Sequence, residues 1–111
     1  RPMPENYQKH RQTGVTATTA GQVIQMAPYA PKVFGLEVDR TAGTSAWAVD
    51  LEVSIDPEIA TPNWTSLGTH NSTTGDGKIT WFVDKPALAM RYKPTTVGSG
   101  NTLAITIVAV T

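Results

Sequence analysis

Two pairs of carboxylates are the first residues in this sequence whose spacing suggests chemistry. Glu37 and Asp39 lie two apart, and so do Asp50 and Glu52. On a strand, that spacing puts each pair on one face about 6–7 Å apart, within the range of glycosidase carboxylates. Each pair also falls where a half-buried strand must turn a polar side to water, and we read both as solvated faces. His10 and His70 stand alone, with no thiolate and no His-x-His or His-Glu-x-x-His spacing, so no transition-metal site is expected. Asp76-Gly77-Lys78 lacks the ligand ladder of a calcium loop and the frame of a phosphate loop, and reads as a turn. No serine sits in a Gly-x-Ser-x-Gly elbow. The sequence predicts no enzyme, no catalytic or metal-binding residue and no cofactor.

The aromatic residues offer binding rather than catalysis. Trp47 and Trp81 fall on the apolar side of alternating segments and are expected in the core. Trp64 follows a Pro-Asn loop and is the candidate platform for stacking a sugar. Arg91 and Lys93 flank Tyr92, but Tyr92 alternates inward and two cations make no nucleic-acid stripe. Asn63-Trp64-Thr65 and Asn71-Ser72-Thr73 match the glycosylation pattern, as a threonine-rich chain does by chance.

The elements that must carry these residues are strands. The 111 residues suit one domain, long enough to bury about 65% of the unfolded surface without staples. The absence of cysteine excludes disulfides and thiolate sites. Nine basic residues balance nine acidic ones, so global charge gives no argument for nucleic acid. No apolar run has the length of a membrane span, and no apolar stretch of the signal-peptide kind opens the chain. Glycine (9) and proline (8) punctuate a threonine-rich text that favours strands and turns over helices.

"AWAVDLEVSID" is the clearest strand: Trp47, Val49, Leu51, Val53 and Ile55 alternate with Ala48, Asp50, Glu52 and Ser54. "KVFGLEVDR" turns Phe34, Leu36 and Val38 to one side. "ITWFVD" turns Ile79, Trp81 and Val83 to one side and Phe82 to the other. Leu88, Met90 and Tyr92 are expected inward, as are Leu103, Ile105 and Ile107, with Val108 and Val110 making the closing strand apolar on both faces. "VTATT" and "QVIQMA" read as two short strands or one kinked at Gly21. Turn signals recur every 8–12 residues or so. The expectation is an all-β fold: an antiparallel β-sandwich or compact jelly-roll-like barrel of seven to eight strands, over residues 14–111, preceded by an extended N-terminal arm, 1–13. Pro2, Pro4 and the long polar side chains up to Gln12 give the arm little to bury. A frayed terminus is the bland alternative.

"WAVDLEVSIDPEIATPNWTSLGTH" and "AMRYKPTTVGSGNTLAITIVAV", with "GVTATT" near the start, resemble small virion proteins of tailed bacteriophages. The shared features are a strand ending in Ser-x-Asp, then Trp-Thr-x-Leu, and later a Gly-rich turn before a closing Thr-rich strand. The resemblance covers residues 14–111 and points to β-sandwich proteins of the head decoration (cement) type. Its motif residues are scaffold, so no binding residue is carried over from them.

That resemblance implies a structural virion protein on the head surface, bound to the major capsid protein or another virion protein, and a homo-oligomer. It implies no small-molecule substrate, no nucleic acid and no membrane. Under it the arm acquires a use, since an extended segment can lie along a neighbour's sheet edge. Arg1, Lys9 and Arg11 would meet acidic shell surface and Tyr7 would anchor. The alternatives are a carbohydrate-binding β-sandwich module, or another virion position in the neck, tail or fibre.

Overall fold

The computed structural model describes residues 7–25, 33–83 and 87–110. Eight strands follow one another: β1 (Tyr7–Val15), β2 (Ile24–Gln25), β3 (Val33–Ala42), β4 (Ala48–Ser54), β5 (Thr65–Asn71), β6 (Ile79–Val83), β7 (Ala89–Thr96) and β8 (Thr102–Val110). There is no helix among the described residues. The strands form two four-stranded antiparallel sheets, ordered β1-β8-β3-β6 (sheet A) and β2-β7-β4-β5 (sheet B). The pairs β4–β5, β3–β6, β2–β7 and β1–β8 nest inside one another, as if one long hairpin had been folded at the β4–β5 loop. Its successive pairs fall alternately on the two sheets. This order is that of a jelly roll, and the fold is therefore an eight-stranded β-sandwich.

The alternation of the best strands becomes the core. Phe34, Leu36 and Val38 of β3, Val49 and Leu51 of β4, and Leu103, Ile105 and Ile107 of β8 are fully buried between the sheets. Met90 and Tyr92 join from β7, and Trp47 from just before β4. Gly21 passes directly over the Tyr92 ring, where any Cβ would overlap it, and its amide donates to the Tyr92 carbonyl at 2.9 Å. A close approach, not a strand kink, is what this glycine permits.

Two buried polar side chains hold the ends of the sandwich. His70 on β5 stacks on Trp47 (5.5 Å between centroids) and bonds Thr80 on β6 and the Gly75 carbonyl at 2.7 and 2.9 Å, which ties one sheet to the other. Asn101 donates to the carbonyls of Ser45 and Val97 and accepts from the Ser45 amide, so it fastens two loops. Gly98 makes room beside it with φ +90, a left-handed conformation that side chains resist.

The structure corrects the sequence reading in three places. Residues 7–13 are not an arm outside the domain: they belong to β1, which pairs with β8 from Tyr7↔Val110 to Val15↔Leu103. The first six residues of the expected arm, Arg1 included, lie outside the described residues. Trp81 and Ile79 are not core; they are 52% and 48% exposed, while Phe82 packs inward. Ile55 and Leu88 leave their alternating rows, because β4 ends at Ser54 and β7 begins at Ala89, and both side chains stand in solvent.

Candidate interaction surface

Backbone register sets the outer face of sheet A. Cross-strand partners share a face, so each ladder of partners draws a row across the sheet. One row runs Tyr7, Val110, Val33; the next Lys9, Val108, Gly35, Trp81; the next Arg11, Thr106, Glu37, Ile79. Three of the four sequence-predicted contact residues, Tyr7, Lys9 and Arg11, therefore stand at alternate positions of β1 on this face. Arg1 is not described.

Arg11 is committed inside the protein. Its guanidinium donates to the Thr106 hydroxyl at 2.7 Å and lies 3.6 Å from Glu37 and 3.5 Å from Asp39. It covers Thr106, which is buried beneath it. Glu37 and Asp39, the carboxylate pair of the sequence, thus anchor an arginine across the central strand. Lys9 differs: among the described residues it has no acidic partner. It stands exposed at the rim of a shallow depression of about 190 Å³ floored by Gly35, Thr106 and Val108 and walled by Glu37 and Ile79.

The floor exists because residue 35 has no side chain. The Trp81 indole lies against Gly35, where a Cβ would be 2.8 Å from the ring and 2.9 Å from Val108. Trp81, Ile79 and Tyr7 are each about half exposed, and with Val33, Val108 and Val110 they leave an apolar band open to solvent. Sequence reasoning missed this band. Its signal was present in Val108, Val110 and Trp81, an apolar set on the face that a half-buried sheet would turn to water.

The outer face of sheet B is built the other way. Asp50 accepts from the Thr69 hydroxyl at 2.6 Å, and Glu52 pairs with Arg91 at 2.8 Å. Lys93 donates to the carbonyls of Thr18 and Pro94. The Arg91 guanidinium lies over the Trp64 ring, 4.3 Å from its centroid, so the half-buried Trp64 has one face occupied by a cation. This face is closed upon itself by polar pairs.

At one end of sheet B, a cavity of about 310 Å³ is lined by Val53, Ser54, Ile55, Asp56, Asn63 and Thr65. Asp56 accepts from the Ser54 hydroxyl and from the amide and side chain of Asn63 at 2.8, 3.2 and 3.1 Å. These bonds, Ser54 foremost, hold its carboxyl below the ordinary value. They staple the β4–β5 loop at both ends. On the core side, burial raises the Tyr92 phenol. Among the described residues no cluster of three or more His, Cys, Asp or Glu is placed to hold a metal.

No family model matches the chain, and no curated protein matches its sequence. Two solved structures share its fold over nearly the whole length. One is the SPBc2 prophage-derived protein YomS, at 12% identity and a TM-score of 0.56, covering 98% of this chain and 99% of that one. The other is PirA, at 10% identity and a TM-score of 0.54, covering 98% and 97%. Each comparison takes in both sheets of the sandwich. At such identities the likeness is one of fold.

Proposed function

We propose that this protein is a structural component of a tailed-phage virion, a head decoration protein that attaches to the shell by strand addition at β1. The observation that carries the reading is the state of β1. It is an edge strand of nine residues, largely exposed, whose second edge pairs with nothing among the described residues. Its backbone groups from Tyr7 to Gln12 are a template for another chain's strand. The irregularity between Gln12 and Val15 ends that template on one side. Lys9 gives the strand an uncommitted cation, suited to an acidic segment of the shell protein. The fold shared with a prophage-derived protein supports the phage assignment, and jelly rolls serve in viral capsids as well as in lectins. The sugar-binding alternative loses its platform, since Arg91 sits on Trp64.

Cosedimentation with empty shells of the encoding phage tests this. Saturable binding is expected, weakened when Tyr7→Ala and Lys9→Glu are combined. Absence of binding by the intact protein to shells that lack it would overturn the proposal.

A further inference from the structure

We infer that the outer face of sheet A is a self-complementary surface, and that a second copy of this chain packs on it about a two-fold axis. The argument rests on the order of residues within one row. Across the sheet, Lys9, Val108, Gly35 and Trp81 are successive ladder partners. A two-fold axis running along the strands, between β8 and β3 and midway between two facing copies, lays β1 over β6 of the second copy and β8 over β3. Lys9 then faces Trp81 of the second copy, and Val108 faces Gly35. Each contact occurs twice, as an isologous interface requires.

Both contacts match. Lys9 has no acidic partner among the described residues, and Trp81 offers an indole that is 52% exposed and seated against Gly35. A cation over an indole face is the favoured pairing for each. Val108 meets the depression that Gly35 borders, beside the seat of the Trp81 indole. Tyr7, Val33 and Val110 extend the apolar contact on one side. On the other, the Arg11–Glu37–Asp39 cluster is already paired within its own copy and brings no unpaired cation to the contact.

The size of the face sets the strength. Four strands at about 4.8 Å spacing span roughly 19 Å, and three rows about 6.8 Å apart cover roughly 20 Å along them, so the patch is about 400 Å², smaller than the ~800 Å² per partner of a standard interface. The dimer is therefore reversible, and it forms where copies are concentrated, as they are on any surface that gathers them. Strand addition at β1 uses the backbone edge of sheet A and dimerisation uses its face; because both draw on Lys9, dimerisation is measured without shells.

Sedimentation equilibrium of the purified chain, without shells, is the test. We expect a monomer–dimer equilibrium. Trp81→Lys replaces the indole by a second ammonium facing Lys9 of the other copy, and weakens the dimer at least about tenfold. Lys9→Glu alone weakens it too. Mixing the two variants restores association, because one contact is then native and the other is a Lys–Glu pair. Val108→Arg, at the centre of the face, abolishes the dimer, and melting curves confirm that each variant is folded. A chain that stays monomeric at millimolar concentration, or a mixture that fails to associate when each variant is folded, would overturn the inference.

Discussion

Trp81 rests its indole directly on the backbone of Gly35, at a distance that leaves no room for a Cβ between them. The pair explains how an aromatic residue can pack close on the outside of a sheet and keep half its surface in water. It also predicts the behaviour of Gly35→Ala. The new methyl meets the ring and Val108, and since Trp81 is at the surface, the ring moves rather than the core. Stability should change by no more than about 1 kcal/mol. The Trp81 indole resonance, assigned by its loss in Trp81→Phe, should shift strongly, and dimerisation should weaken. An unmoved resonance would mean that the ring does not use this seat.

The two faces of β4 give a sharper contrast. Leu51 is fully buried at the middle of the strand, and its neighbour Asp50 is a partly exposed residue bonded to Thr69. Leu51→Ala should cost about 2–5 kcal/mol through lost transfer energy and a cavity. Asp50→Ala removes one surface hydrogen bond and should cost about 1 kcal/mol or less. Urea unfolding of both variants checks the order; equal midpoints would contradict the packing described for β4.

β4 is legible in the sequence because its two faces differ in kind: Trp47, Val49, Leu51 and Val53 against Asp50 and Glu52. β6 misleads for the opposite reason. Ile79, Trp81 and Phe82 are apolar on both sides, and a period of two shows which residues share a face without showing which face is buried. β1 leaves no such mark. "YQKHRQT" brings almost no side chain to the core, because an edge strand can be held by its backbone ladder and by one terminal residue, here Val15. The candidate surface inherits both difficulties, since it is made of β1 and β6 at the two edges of sheet A. Its cations show in the composition, its aromatic side only in the register.

Acid should loosen the β4–β5 loop first. The Ser54 and Asn63 bonds lower the Asp56 pKa in the folded chain. Its contribution to stability is therefore complete above the unfolded value of about 3.9 and is lost as pH falls through the lower, folded one. Asp56→Asn should flatten that part of the melting-temperature profile, leaving a smaller decline over the range below about pH 4 than in the wild type. Parallel profiles for the two proteins would show that Asp56 makes no such contribution. Amide exchange at Asn63, measured at both ends of the range, locates the change in the loop.

Deleting residues 1–12 gives the strongest test of β1. From the sequence alone this deletion should leave the domain's stability nearly unchanged. The structure predicts the reverse. The cut removes the ladder from Tyr7↔Val110 to Gln12↔Ile105 and turns β8 from an interior strand into an edge. Every second residue of β8, the strand that carries the fully buried Ile105 and Ile107, then loses its backbone partner on that side. Val15 loses the strand that leads it into the core. A fall in melting temperature of roughly 10 °C or more is expected, equivalent to a few kcal/mol in a domain this size. The control keeps the backbone and removes side chains: Tyr7→Ala with Lys9→Ala should shift the melting point only slightly, because both side chains are exposed. Amide exchange separates the two effects further, since the β8 amides that bond β1 lose protection in the truncated chain and keep it in the double variant. If the truncated chain melts with the full-length protein, the β1–β8 ladder contributes nothing to the fold, and the domain starts near residue 13 after all.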